Sequence, residues 1–259
     1  MPLETMSRKV REREAKLLTL TDTRGLRDLG DARRRVAAIA FMLAECSDPR
    51  GAFPLIYRIG LDAVVGALEE DRLRDPEWVQ AFEIEFASRY LDNLHRHLTE
   101  KKMTPPWAAA YRHADNEKAT IPGFLAAAMN AHLLSDLPEA LYASDVRAHH
   151  VVDYFTLSRL IWGTVPGAIS AVKGWYGTDL SPLYSAHFDI WPITVLNGRV
   201  PSSQERLFHS VTGIAFARGC AMANPFARPL IRVRKASGSR MASGLADQLI
   251  KLGELSPAM

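Results

Sequence analysis

Apolar residues in this chain recur at intervals of three and four, and that periodicity restricts the fold more than any other feature of the sequence. From Asp31 to Glu45 the apolar side is Val36, Ile39, Ala40 and Leu43, and the run stops at Ser47-Asp48-Pro49-Arg50-Gly51, a turn signal. A second helix is predicted from about Pro54 to Arg72, with Tyr57, Leu61, Val64 and Leu68 on one stripe. Asp75 reads as an N-cap with Pro76 at the first helical position, opening a third helix to about Leu98. Alternating runs are scarce, and there is neither a βαβ alternation nor an internal repeat. The expected fold is all-α: a single-domain, irregular helical bundle with a Gly/Pro/aromatic-rich insert.

The remaining punctuation divides the chain further. Thr104-Pro105-Pro106 breaks it before Trp107, and residues 107–120 read as a polar connection with one short helix. Ile121-Pro122 leads into an Ala-rich helix over 123–135, after which Asp136-Leu137-Pro138-Glu139 has the form of a capping box. Ser144-Asp145 is expected to cap a helix running to about Trp162. Residues 163–203 carry Trp175, Tyr176, Tyr184, Phe188 and Trp191 among repeated Gly and Pro, and are expected to form an irregular insert over a pocket mouth. Ser202-Ser203 starts a last helix over 204–223. The domain reading is a charged N-terminal arm at 1–30, a helical domain at 31–228 and a tail at 229–259.

Composition removes several classes. Of 259 residues, 47% are apolar and 24% charged, which excludes disorder for the bulk of the chain. Cys46 and Cys220 are far apart and lack paired spacing, so neither a disulfide framework nor a Cys-based zinc site is expected. The net charge of +3 is small, and the basic runs Arg33-Arg34-Arg35 and Arg232 to Lys235 read as solvated faces rather than a nucleic-acid groove. No stretch of about 18 uninterrupted apolar residues occurs, and no signal pattern opens the chain, so no membrane span and a cytoplasmic location are expected.

Chemistry-bearing residues fall on the apolar stripes. Projected at about 100° per residue, Val146, His149, His150, Asp153, Leu157, Leu160 and Ile161 share one arc of the helix after Asp145. Asp153 then lies i+4 from His149 and i+3 from His150, and a carboxylate among apolar neighbours needs a partner or a cation. On the third helix Val79, Phe82, Glu83, Phe86, Tyr90, Leu94 and His97 share an arc, which sets Glu83 inside an aromatic stripe. The fourth helix adds His132. An internal hydrogen-bonded network explains these residues as readily as a functional site does. Lone His187 and His209 read as structural, and Arg218, on the stripe of Leu207, Val211 and Ile214, as an internal counter-ion for Glu83 or Asp153. Glu-x-x-His pairs of di-iron bundles, a nucleophile elbow, a phosphate-cradling Gly loop and a dinucleotide fingerprint are all missing.

Several of these pieces form a pattern. Phe53-x-x-x-Tyr57, Glu83-Ile84-Glu85-Phe86-Ala87-x-x-Tyr90 and Trp107 precede Met129-Asn130-Ala131-His132-x-x-x-Asp136-Leu137-Pro138-x-Ala140-Leu141, with Asp153-Tyr154 and Ala217-Arg218-x-x-Ala221 downstream. Over roughly residues 35–225 this resembles a largely bacterial group known as domain of unknown function 5995; the resemblance implies an all-helical fold and supplies no reaction. The His132-x-x-x-Asp136 spacing is also similar to one in zinc-dependent phospholipase C and single-strand nucleases. Those enzymes continue to a further His, where Tyr142 is the nearest polar ring here.

The functional expectation is an enzyme with a buried His/Asp/Glu pocket acting on a small or lipid-like molecule by acid/base or metal-assisted chemistry. Hydrolase and lyase or cyclase types, in specialised metabolism, fit it. His132, Asp136, His149 and Asp153 are the expected catalytic groups, and Tyr90, Asn130, Trp175, Trp191 and Arg218 the expected substrate contacts. His132, Asp153 and Glu83 are the expected ligands should a divalent metal, zinc or iron, bind. A homodimer is compatible with this reading. The alternative is a non-catalytic helical module that binds a hydrophobic ligand or a protein partner.

Overall fold

In the computed structural model, which describes residues 3–116, 119–181, 203–229 and 231, every regular element is helical, with no strand among the described residues. Among the described residues there are ten α-helices: α1 Leu3–Thr21, α2 Leu29–Ala44, α3 Ala52–Glu69, α4 Pro76–Leu98, α5 Pro105–Ala114, α6 Ile121–Asn130, α7 Leu137–Ala143, α8 Val151–Gly163, α9 Val165–Tyr176 and α10 Ser203–Ala221. A π-helical segment, Ala131–Asp136, joins α6 to α7 without a break.

The helix starts follow from local chemistry. Asp28 caps α2 by accepting the Asp31 amide at 2.6 Å, and Thr120 caps α6 through the Gly123 amide at 3.2 Å. Asp75 caps α4 as its sequence predicts, accepting the Trp78 amide at 3.0 Å with Pro76 behind it. At the other end of an element, Gly177 takes the left-handed conformation (φ 68°) and returns its amide to the Lys173 carbonyl, which stops α9.

Helix α3 is the axis of the bundle. It packs on α2 and α9 and also meets α6 and α8, and it buries Phe53, Leu55, Leu61, Val64 and Ala67. With the turn before it, the segment Pro49–Glu69 has a mean hydropathy of 1.4, long and apolar enough to cross a membrane by length and composition; half of it is buried inside the bundle. Helix α4 lies alongside, packed on α1, α2 and α7, with Val79, Phe82, Glu83, Phe86, Tyr90 and Leu94 all buried on the predicted arc. Helix α10 closes the far side against α7 and α8.

Several expectations are corrected. The charged leader forms α1, whose Leu17 and Thr21 are buried. Arg35 is largely buried rather than solvated: it pairs with Asp31 and donates to the Asp22 and Gly25 carbonyls, each at 2.7 Å, closing the α1–α2 connection. The one short helix expected within 107–120 is present as α5, but the segment is not polar throughout, since Trp107, Ala110 and Tyr111 are buried. Asp136 caps nothing, because the chain passes through it in helical conformation; the capping-box reading fails there. Ser144 and Asp145 end α7 instead of starting the next helix, which begins with a 3₁₀ turn at Ala148–His150. The first part of the expected irregular insert is the helix α9, since a Pro at its first turn and a Gly at its end are boundary signals rather than interruptions. Residues 182–202, with Tyr184, His187, Phe188 and Trp191, lie outside the described residues, as do Arg232 to Lys235.

Close approach of α10 to α7 needs Gly219: a Cβ there would stand 2.7 Å from Leu141 Cβ and 3.3 Å from Val146 Cγ1. Gly219→Ala should cost about 1–3 kcal/mol of unfolding free energy in urea. Gly66→Ala, where a Cβ meets nothing within 4 Å, should be neutral or stabilising by up to about 1 kcal/mol in the same assay.

Candidate functional site

The π-helical segment is where the sequence motif becomes a site. Pro138 has no amide hydrogen, and its ring crowds the carbonyl one turn back, so a strict α-helix cannot continue through it unaltered. The backbone widens instead, and the Leu137 amide bonds five residues back to the His132 carbonyl. The predicted departure from a straight helix is found, as a bulge inside a continuous helix rather than an end. His132 and Asp136 both sit in it, buried, with His132 Nδ1 3.3 Å from Asp136 Oδ2.

Asp136 also accepts Trp107 Nε1–H from α5 at 2.7 Å. An ionised carboxylate only accepts hydrogen bonds, so the His132 proton sits on Nδ1 and the lone pair on Nε2. That Nε2 is buried and has no hydrogen-bond partner among the described residues. The imidazole itself is fixed by aromatics: Phe86 stacks on it at 3.7 Å, with Tyr57 and Phe53 edge-on at 4.7 and 5.1 Å. Burial pushes its pKa down, opposed in part by Asp136, so it is neutral at neutral pH.

His132 lines a cavity of about 150 Å³ bounded by α3, α4, the π segment, α8, the start of α9 and α10. The walls are mostly apolar and aromatic, among them Phe53, Phe82, Phe86, Tyr154, Trp162 and Phe208. Two further polar groups stand on it. Glu83, 2% exposed, has no hydrogen-bond or ion-pair partner among the described residues, and burial raises its pKa from 4.5 to about 8. The Tyr57 hydroxyl is likewise buried and unpartnered; burial first, then the nearby Glu83 and Asp136, holds its pKa well above the usual phenol value. Ser158 and Thr212 also line the cavity but are engaged with each other at 3.1 Å, and Ser158 with His209 at 2.8 Å. Among the described residues no Lys or Arg lines it.

Other expected site residues lie elsewhere. Asp153 is buried, yet its two oxygens accept the Arg74 and Asp75 amides at 2.9 and 2.7 Å, tying α8 to the α3–α4 turn. It is not on the cavity wall, so the set His132, Asp153 and Glu83 does not come together. His149 is exposed, because residues 148–150 form a 3₁₀ turn and the α-helical phase cannot be carried back through them. Within α8 itself, Val151 and Val152 face solvent. Arg218 is half-buried and pairs with neither Glu83 nor Asp153 among the described residues. Tyr90 is buried behind Phe53 and Trp107, Asn130 ends α6 half-buried, and Trp175 packs on Phe41; none of these lines the cavity.

Among the described residues, Asp75, His149 and His150 bring potential ligand atoms within 4.8 Å of one another. His150 Nδ1, however, accepts the Arg147 amide at 3.0 Å, which places its proton on Nε2, facing Asp75 Oδ2 at 3.3 Å. A metal at Nε2 would require that proton to move to Nδ1, against the amide. The trio therefore reads as a hydrogen-bonded joint between α4 and α8. Sequence reasoning passed over Tyr57 as a site residue and the Trp107–Asp136 bond. Both residues stand among the motif pieces, but nothing local shows that they meet His132.

A profile described as "Family of unknown function (DUF5995)" matches residues 29–181, and the chain belongs to that family. No curated protein and no solved structure matches the chain.

Two outcomes follow from these environments. A carboxyl whose folded pKa lies above its unfolded one binds its proton more tightly when folded, so stability falls as pH rises from about 4.5 through about 8. Glu83→Gln should remove that slope, worth up to about 1.4 kcal/mol per pH unit. Its unfolding temperature should match the parent near pH 5 and exceed it at pH 8.5; parallel pH profiles would show Glu83 to be ionised throughout. Asp153→Ala should cost about 2–4 kcal/mol in denaturant unfolding, because two amides lose their acceptor.

Proposed function

We propose that this member of the DUF5995 family is an enzyme that moves protons on a small, neutral, largely apolar molecule held in the cavity. His132 is the base and Glu83 the acid, and Asp136 holds the His132 tautomer. One observation carries the reading: among the described residues, Glu83 without a hydrogen-bond partner and His132 with its Nε2 unpartnered line the same cavity, and burial raises the pKa of the first and lowers that of the second. A pair of groups whose environments push their pKa values toward opposite roles is the arrangement acid/base catalysis needs.

Asp136 makes the base specific. By accepting Nδ1–H it leaves Nε2 free to take a proton, and the imidazolium so formed is stabilised by the adjacent carboxylate. Trp107 and the stacked Phe86 prevent the ring from turning. Glu83, kept protonated by its apolar surroundings, delivers a proton and recovers it without a co-reactant. Such a pair supports isomerisation, elimination or ring closure; hydrolysis would need a water admitted to the same space. With no lysine or arginine among the described residues of the walls, an anionic head group would meet no counter-ion there, which favours neutral substrates over fatty acids and phosphoesters.

The apolar walls also suit the rival reading, a non-catalytic module that stores an apolar ligand. Exchange of carbon-bound hydrogen separates the two. A panel of small neutral alkenes, ketones and alcohols is incubated with the protein in D₂O and followed by NMR. Exchange or isomerisation of at least one compound is expected. Glu83→Gln and His132→Gln should lower its rate by about 10²–10⁴-fold. His149→Ala, outside the cavity, should leave it unchanged. Compounds that bind yet exchange no faster than in buffer would establish the storage reading.

A further inference from the structure

The polar inventory of the cavity specifies more than its acid/base pair. Glu83, its pKa raised by burial, offers an O–H with no acceptor among the described residues. Tyr57 offers a second O–H, buried and without a partner among the same residues, on a ring 4.7 Å from that of His132. His132 Nε2 offers a lone pair that none of the described residues meets with a donor. Buried donors and acceptors left unmet each cost free energy, and a ligand that meets all three recovers it. Two donors beside one acceptor call for a ligand with a strong acceptor atom and, next to it, a hydrogen that can be given up.

Size and charge narrow the class. A cavity of about 150 Å³ is the size of the engineered apolar cavity that takes benzene, so one six-membered ring fills it. A pure hydrocarbon would leave both donors unmet. A carboxylate or phosphate would meet them but bring a charge into walls that, among the described residues, hold no lysine or arginine.

We infer that the substrate is a neutral carbonyl compound about as large as one six-membered ring, its oxygen bound by the Tyr57 hydroxyl and the Glu83 carboxyl and its adjacent carbon facing His132 Nε2. This rests on the acid/base reading of the same cavity. In the step, the C–H bond next to the carbonyl breaks and its proton goes to Nε2. The released electron pair forms the C=C bond, the carbonyl π pair moves onto oxygen, and that oxygen takes the Glu83 proton. The enol returns to a ketone by the reverse transfers, with the proton placed back on the same carbon or, in a conjugated substrate, on a more distant one. No oxidant, reductant or second substrate is consumed. Tyr57 touches the oxygen throughout and exchanges no proton, so it stabilises the charge that develops there.

The test pairs binding with exchange. Binding of cyclohexanone, methylenecyclohexane, cyclohexylamine and cyclohexanecarboxylate is measured by calorimetry, with phenol as a mimic of the enol; exchange of the cyclohexanone α-hydrogens in D₂O is followed by NMR. Cyclohexanone and phenol should bind at least tenfold more tightly than the hydrocarbon. Tyr57→Phe and Glu83→Leu should each remove most of that preference while leaving hydrocarbon binding in place, which also reports that the variants are folded. Equal affinity for ketone and hydrocarbon, or tighter binding of the amine or the carboxylate, overturns the substrate assignment even if another compound exchanges its hydrogen. A ketone preference that depends on Tyr57 and Glu83, without α-hydrogen exchange, supports the oxygen pocket and overturns the acid/base reading instead.

Discussion

The Asp136 carboxylate is the group on which the centre of this protein depends. It is buried, and it is held from two directions, by the Trp107 indole on α5 and by His132 one turn back on its own helix. Replacing either partner would leave an acceptor-only group short of donors in a low-dielectric interior, where that loss is expensive. The same two bonds fix α5 against the π segment and set the tautomer of His132. Packing and chemistry therefore share one carboxylate.

Around that point the bundle is assembled from apolar stripes, but its interior is not uniformly apolar. Glu83 lies on the aromatic face of α4 with no partner to offset its desolvation, and Tyr57 leaves a hydroxyl unmet on α3. A fold selected for stability alone would fill these positions with Gln, Leu or Phe. Together in one cavity, beside an imidazole bonded to Asp136, Glu83 and Tyr57 add a desolvation cost that apolar packing alone would avoid. Asp153 makes the contrast clear: it too is a buried carboxylate, but two backbone amides satisfy it, and it joins elements rather than facing space.

Sequence reasoning reached the all-helical class because the 3.6-residue period is a local property that each amphipathic segment displays by itself. It singled out Glu83 as a polar residue on an apolar stripe, and His132 and Asp136 through the Asn-Ala-His…Asp-Leu-Pro pattern; all three are buried. It failed at His149, where three residues of 3₁₀ turn break the helical phase from which its direction was inferred. It also failed at Asp136 as a cap, because Asp-Leu-Pro-Glu is a helix start only when the preceding turn is not already helical. The pairing of Arg218 with a buried acid was inferred from a shared need for partners, and such a need does not say which partner is in reach.

Periodicity, caps and proline placement thus determined by themselves that the chain folds into helices, where most of them begin, and which faces turn inward. Those are effects of neighbours within a few residues. Which buried polar groups meet was decided by tertiary structure alone. The Arg74 and Asp75 amides reach Asp153, the Trp107 indole reaches Asp136, and Tyr57, Glu83 and His132, from three separate helices, share one cavity. Hydrogen bonding acts over about 3 Å, and only the packing of helices distant in sequence brings such groups to that range or holds them just short of it.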